Sequence, residues 1–200
     1  MISPAKTGRV KTACGSIPVR AMATTVLLAG VVFFCTVSRS ETQEAPNASA
    51  LAQLRGLSGE WEGTYVWLGS GKAPEKLTAK YFETGNAAVV ESLIYENDRG
   101  GVPAMTSVYH LDGADLRMTH FCVQNQPRLK ASHIDLAKGI LDFDFVDVTN
   151  LPSPDAPHVY RVEMRLLAAD HISITFSVEG GDKHSNEFIE LKRVSHKPSA

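Results

Sequence analysis

Cysteine is scarce in this sequence, and its placement excludes a disulfide-rich fold for most of the chain. Only three cysteines occur among 200 residues, and two of them, Cys14 and Cys35, lie within the first forty positions. Cys122 is therefore alone in the rest of the chain, where no internal disulfide can form. We expect the domain that follows to depend on its hydrophobic core, even in an oxidising compartment.

Acidic residues are absent from the first forty positions. That segment carries five basic residues, and a run of apolar or small residues extends from Ala21 to Val37. A basic start before an apolar run is typical of a signal peptide. Residues 1–40 are therefore predicted to be a signal peptide cleaved after Ser40, or an uncleaved N-terminal anchor. The protein is then exported, either periplasmic or secreted, and membrane-anchored if the segment is retained.

A clustered basic surface is lacking as well. From Glu41 onward, fifteen lysines and arginines stand against twenty-two acids, which gives a net charge of −7. Because phosphate binding requires clustered positive charge, we expect no nucleic-acid partner. Membrane contact is expected only through an uncleaved N-terminal segment. No Gly-x-Ser-x-Gly elbow, phosphate loop or His-Glu-x-x-His helix occurs, so the sequence assigns no catalytic residues and favours a protein without enzymatic activity.

Period-two alternation is the main feature that is present. Turn residues separate ten strand-length runs, and no gap between them could hold a crossover helix, which predicts consecutive antiparallel pairing. An all-β, antiparallel up-and-down barrel of about ten strands is the first choice, because closure removes exposed edges, and a sandwich is the second. The predicted strands are 60–68, 76–84, 87–96, 104–111, 116–123, 128–136, 140–148, 158–167, 171–178 and 187–194.

The barrel is predicted to occupy residues 51–195, after a polar tether over 41–50 and before a tail over 196–200. It begins with one or two helical turns, because Leu51, Leu54 and Leu57 have helical spacing. Alternation assigns inner faces to several strands, among them Trp61, Gly63, Tyr65 and Trp67 on the first strand. The second and third strands are apolar on both faces and have no clear inner side.

Gly59-Glu60-Trp61 at the start of the first strand resembles the Gly-x-Trp signature of lipocalins and the wider calycin superfamily. The resemblance implies that Trp61 closes one end of the barrel and that Arg193, near the end of the last strand, packs across it as a cation–π contact. The chain departs from the classical lipocalin in having no helix after the eighth strand. Ten strands without a lid look more like the haem-binding nitrobindin type, and the hairpin around His110 and His120 resembles uncharacterised exported bacterial proteins of lipocalin-like type.

The densest polar chemistry lies on that hairpin. His120 and Cys122 share the inner face of the fifth strand with Met118, while His110 or Tyr109 is expected opposite them, and His133 is expected in the inner row of the sixth strand. Imidazole and thiolate both ligate haem iron and transition metals, so a haem or metal site with a redox role at His120 is one interpretation. The other is a core histidine with a hydrogen-bonded partner beside a buried inert thiol.

The leading hypothesis is a barrel without an assigned cofactor that binds a small apolar or amphipathic ligand. The alternatives are the haem or metal protein, and a filled barrel that acts as an accessory module of the envelope. The sequence predicts neither the ligand nor the oligomeric state. The residues predicted to contact the ligand are Tyr65, Trp67, His110, Met118, His120, Cys122, Phe143, Phe145, Tyr160, Met164 and Phe176.

Overall fold

The computed structural model of the protein describes residues 41–96, 102–122 and 124–194. The predicted signal peptide or anchor and the predicted tail lie outside these residues. Within them, one helix precedes ten strands. The elements are α1 (Glu41–Arg55), β1 (Gly59–Trp67), β2 (Glu75–Thr84), β3 (Ala88–Tyr95), β4 (Met105–Asp112), β5 (Asp115–Cys122), β6 (Gln126–Asp135), β7 (Ile140–Thr149), β8 (His158–Ala168), β9 (His171–Gly180) and β10 (Lys183–Arg193).

The ten strands form a closed antiparallel barrel. Each strand pairs with the next along the chain, and β10 returns to pair with β1. The up-and-down prediction is therefore confirmed, and β1 to β9 begin and end within two residues of their predicted positions. Short turns make this order possible. In the hairpin of β4 and β5, Asp112 pairs with Asp115 across two residues, and Gly113 adopts the positive φ of 60° that such a turn favours.

The N-terminal helix is longer than the predicted turn. It begins at Glu41, so the prediction of a polar tether over residues 41–50 was wrong. The stretch is polar because part of the helix surface faces solvent. Its apolar residues Ala50, Leu51 and Leu54 are buried against the barrel. Asn47 is also buried and donates a hydrogen bond from Nδ2 to the backbone oxygen of Ala114, at 2.7 Å. In the described part of the chain, no helix has the length and apolar character needed to cross a bilayer.

The core lies inside the barrel and is formed by the inward rows of the strands. The two strands without a clear inner side are now assigned. Leu77, Ala79 and Tyr81 face inward from β2, and Val89, Glu91, Leu93 and Tyr95 face inward from β3. Burial of these apolar side chains is the main stabilising term for a fold without disulfides, at roughly 25 cal/mol per Å² of apolar area.

Candidate functional site

One end of the barrel is closed by Trp61, Arg193 and the segment before β1. The Arg193 guanidinium lies 4.4 Å from the centroid of the buried Trp61 ring, so the contact implied by the lipocalin resemblance is present. Arg193 also donates hydrogen bonds to the backbone oxygens of Gly56 and Ser58, at 2.8 and 2.7 Å. Gly59 has a φ of 134°, and a Cβ there would lie 3.0 Å from the Arg193 guanidinium, which explains the glycine of the motif.

A polar network is buried in the middle of the barrel around Glu91. Its Oε2 accepts hydrogen bonds from the hydroxyls of Tyr81, at 2.6 Å, and Tyr109, at 3.1 Å, while Oε1 accepts one from Ser107 at 3.0 Å. Burial raises the pKa of Glu91, and these hydrogen bonds partly oppose that shift. Burial and the Glu91 charge together raise the pKa of both tyrosines, so both hydroxyls remain donors. The network is thus a satisfied polar cluster within an apolar core.

His120 belongs to this network through Ser107. The Ser107 Oγ lies 3.0 Å from His120 Nδ1 and donates its proton to Glu91, so Nδ1–H of His120 is the donor to Ser107. Burial lowers the pKa of His120 to about 4, so the imidazole is neutral at pH 7. Its Nε2 is buried and has no hydrogen-bond partner within the described ranges. The Phe176 ring covers the imidazole at a centroid distance of 4.9 Å.

A cavity of about 270 Å³ opens at the other end of the barrel. Phe176 belongs to its wall and also packs against His120, so this ring connects the cavity wall with the buried network. A larger depression of about 520 Å³ beside Glu62 and Lys76 lies on the outside of the barrel among charged side chains. The lining residues are Tyr65, Trp67, Tyr95, Ala104, Met105, Cys122, Val159, Phe176, Val178 and Glu187.

Glu187 is the carboxylate in this cavity wall. It is 3% exposed, and its Oε1 accepts a hydrogen bond from the Tyr95 hydroxyl at 3.0 Å. Burial raises the pKa of Glu187 to about 7, and the Tyr95 hydrogen bond moderates that shift. The charge of this group therefore changes near neutral pH, unlike that of an ordinary solvated glutamate.

Cys122 lines the cavity as a protonated thiol. Burial, together with the charge of Glu187, raises the pKa of Cys122 to about 11. A nucleophilic cysteine requires the opposite shift and an adjacent base. His120 cannot supply that base from Nδ1, because this nitrogen already donates to Ser107. The pair therefore lacks the arrangement of an activated nucleophile.

The inward-facing residues predicted to contact the ligand fall into two groups, one lining the cavity and one buried in the core below it. Tyr65, Trp67, Cys122 and Phe176 line the cavity, with Trp67 39% exposed at its rim. Deeper in the barrel, the remaining inward residues of the predicted set are fully buried in packed core and do not line the cavity. They are Met118, His120, Phe143 and Met164.

Two predicted site residues face away from the lumen because of strand geometry. His110 is on the outer side of β4, since Ser107 and Tyr109 form the inner row, and its Nδ1 contacts the backbone oxygen of Leu111. Tyr160 is the extra residue of a β-bulge between Val159 and Arg161, so Val159 takes the expected inward position. The Tyr160 ring instead packs edge-on against His184, at 5.9 Å. A bulge shifts the alternation by one residue, which sequence pattern alone does not reveal.

Two further expectations fail in β6 and β7. A bulge after Ala131 turns His133 outward, where it lies 3.4 Å from Asp142, so it is not part of an inner histidine row. Phe145 is 39% exposed, and its ring contacts His158 at 5.2 Å rather than lining the cavity. The predicted convergence of several imidazoles in the lumen thus reduces to His120 within the described residues.

Sequence reasoning missed the two acids that face the lumen, Glu91 and Glu187, and their partners Tyr81 and Tyr95. Both acids occupy inward positions of their strands. The sequence did indicate that Glu187 faces inward, because it alternates with the apolar residues Ile189 and Leu191 along β10. For Glu91 no clear signal existed, since β3 is apolar on both faces. An inward acid at a strand position is a stronger mark of a site than an inward histidine, because its burial costs more.

The described residues do not form a metal site of the usual kind. No group of three or more His, Cys, Asp or Glu side chains is placed to hold an ion in the part of the chain that the structure covers. The His120 Nε2 has a suitable lone pair for haem iron, but Phe176 covers the ring and the neighbouring cavity is small for a macrocycle. Haem binding at His120 would therefore require the Phe176 ring to move.

Fold and site together define a closed ten-stranded antiparallel barrel with one filled end and one open end, which fits a lipocalin-like barrel fold. Comparison with protein-family models found no match, and comparison with curated proteins found none either.

Comparison with solved structures found matches of low identity. Rv2717c from M. tuberculosis is 13% identical with a TM-score of 0.48, over 73% of this chain and 98% of that chain. A protein of unknown function of the DUF3598 family from Nostoc punctiforme is 14% identical with a TM-score of 0.38, over 72% of this chain and 50% of that chain.

Proposed function

We propose that this protein is an exported lipocalin-like barrel that binds a small apolar or amphipathic ligand in the open end of its lumen. The observation that supports this proposal is the cavity of about 270 Å³, whose walls are aromatic and aliphatic and contain the hydrogen-bonded pair of Glu187 and Tyr95. Apolar walls with a few placed polar groups are characteristic of ligand pockets, which hold roughly 300–1,000 Å³. Export rests on the basic and apolar pattern of residues 1–40, which remains a prediction.

The size of the cavity limits the ligand. At about 270 Å³, just below the usual range, the cavity suits a molecule with about one aromatic ring and a short chain rather than a fatty acid or a porphyrin. The packed core below it, which includes Met118, Phe143 and Met164, leaves the deeper lumen filled. Ligand contact is therefore assigned to the rim and upper wall.

The test uses three probes of the same shape: 2-phenylethanol, 2-phenylethylamine and 3-phenylpropionate. Binding is followed by calorimetry and by the fluorescence of Trp67, which lines the cavity and is one of two tryptophans in the chain. We expect at least one probe to bind and Val178→Phe, which fills the cavity, to abolish binding.

The matched control is Val146→Phe, because Val146 is exposed on the surface. It should bind the probe as the wild type does. If none of the three probes binds, or if Val178→Phe leaves binding intact, the ligand-binding proposal fails and the filled accessory barrel becomes the better interpretation.

Haem or metal binding at His120 stays a prediction, supported by the unpartnered Nε2 and opposed by the Phe176 ring over it. Protein purified from haem-supplied cells should show a Soret band that His120→Ala removes if this alternative holds. A protein without the band, or a band that survives the substitution, excludes His120 from the role.

A further inference from the structure

Glu187 lies inside an apolar cavity and has no cationic partner among the described residues. Burial and the Tyr95 hydroxyl account for the shift in its pKa, with no contribution from a lysine or arginine. The Tyr95 hydrogen bond reaches Oε1 only, and Oε2 accepts none within the described residues. A carboxylate in such surroundings is costly unless something compensates its charge.

Aromatic rings flank this carboxylate on both sides. In the barrel register, Glu187 is directly opposite Trp67 on β1 and Phe176 on β9, and all three side chains line the cavity. Tyr65 and Tyr95 add a second aromatic pair, whose ring centroids are 4.5 Å apart. An acid among ring faces is the arrangement that binds a cation, through charge and through cation–π attraction.

We propose that the cavity binds a small amine with an apolar body, whose ammonium group pairs with Glu187 while its body packs against Trp67 and Phe176. This deepens the proposed function and rests on it. Among the residues that the structure describes, no lysine, arginine or histidine lines the cavity, so an anionic ligand would meet Glu187 without a compensating charge from them. A neutral ligand would leave the carboxylate without its counter-charge.

The proposal implies a pH dependence with a definite sign. The titratable groups near Glu187 are Tyr95 from β3, Cys122 from β5 and, through Tyr95, Tyr65 from β1. The raised pKa values of Tyr95 and Cys122 keep both protonated at and below pH 8.5. Alkyl ammonium groups stay charged in this range as well. Of Glu187, Tyr95 and Cys122, only Glu187 then changes charge between pH 5.5 and 8.5, so amine affinity should rise with pH.

The experiment compares 2-phenylethylamine, 2-phenylethanol and 3-phenylpropionate by calorimetry on the wild-type chain at pH 8.5 and 5.5. At pH 8.5 we expect the amine to bind about tenfold or more tightly than the alcohol, which is the scale of one charge-assisted hydrogen bond. The carboxylate should bind most weakly. At pH 5.5 the preference for the amine over the alcohol should largely vanish, since Glu187 is then protonated.

Glu187→Gln should remove the amine preference at pH 8.5 and keep the binding of the alcohol, while the exposed Glu62→Gln should behave as the wild type. If the alcohol or the carboxylate binds best, or if Glu187→Gln retains the preference, the amine proposal fails and the ligand-binding proposal stands. If no probe binds, both fail. If Glu187→Gln does not fold, the wild-type measurements at pH 8.5 and 5.5 decide the question. An equal preference for the amine over the alcohol at both pH values overturns the amine proposal.

Discussion

The Tyr95 hydroxyl donates a 3.0 Å hydrogen bond to Glu187 Oε1 across the open end of the barrel. The two residues are 92 positions apart in sequence and belong to β3 and β10, which are not neighbours in the sheet. Because both side chains point into the lumen, closure of the barrel alone brings them together. The bond places an ionisable acid in an apolar wall, and stability should depend on its charge.

Glu187→Gln should change how stability depends on pH. The folded pKa of Glu187, about 7, is above its ordinary value of 4.5, so its stability contribution is complete below pH 4.5 and is lost as pH rises through 7. At about 1.4 kcal/mol per pKa unit, the wild type should lose about 3 kcal/mol between pH 4.5 and 8 relative to the variant. Urea unfolding of both proteins at the two pH values measures this. A stability difference that does not change with pH contradicts the assignment.

His120 should make the free energy of unfolding depend on pH in the opposite direction, with stability lost at low pH. Its folded pKa of about 4 is below the ordinary 6.5, so its neutral form stabilises the fold above pH 6.5, and this stability is lost as pH falls towards 4. His120→Asn keeps a donor near the position of Nδ1 and removes the titration. Relative to this variant, the wild type should lose about 3 kcal/mol between pH 7 and 4. Unfolding curves for the exposed His184→Asn should parallel the wild type, and a parallel curve for His120→Asn would disprove the prediction.

Removing the acceptor of the central network should be costly. Glu91→Leu leaves the hydroxyls of Tyr81, Tyr109 and Ser107 without their acceptor in the core, and we expect a loss of about 3–5 kcal/mol in the free energy of unfolding. Glu91→Gln keeps one carbonyl oxygen and should lose less. Adding Tyr81→Phe and Tyr109→Phe to Glu91→Leu should restore part of the stability, because the orphaned hydroxyls are then gone. Purely additive losses in this series would show that the network is not coupled.

Arg193→Lys should loosen the closed end of the barrel. A lysine cannot keep both hydrogen bonds to Gly56 and Ser58 while lying over Trp61, so we expect a loss of about 2 kcal/mol. Thermal unfolding measures it, and the near-ultraviolet dichroism of Trp61 should change. Arg128→Lys is the control, because its ion pair with Asp147 is exposed and contributes little. Equal effects of the two substitutions would contradict the structural role of Arg193.

Part of the candidate site could be predicted because it follows local pattern. Tyr65, Trp67 and Phe176 were placed inward by simple alternation, and they line the cavity. Val159 and Tyr160 show the limit of that reasoning, since one bulge exchanged their directions. A bulge is selected by packing between neighbouring strands, and its energy is not visible in one strand's sequence.

By itself, the sequence determined the ten strands and their order, although not the length of the N-terminal helix. Alternating apolar residues and short turns predicted ten strands that pair with their neighbours, and Gly59 with Trp61 marked the strand that begins at the closed end. These features depend on interactions between residues that are close in the chain, so they can be identified from local sequence.

Only the tertiary structure decided which half of the lumen is filled and which acids face it. Glu91 meets the hydroxyls of Tyr81 and Tyr109, and Glu187 meets Tyr95, because barrel closure brings distant strands to a common interior. The size of the cavity likewise depends on how side chains from opposite walls fill the space between them. Packing and charge burial are sums over such distant contacts, so no single stretch of sequence contains them.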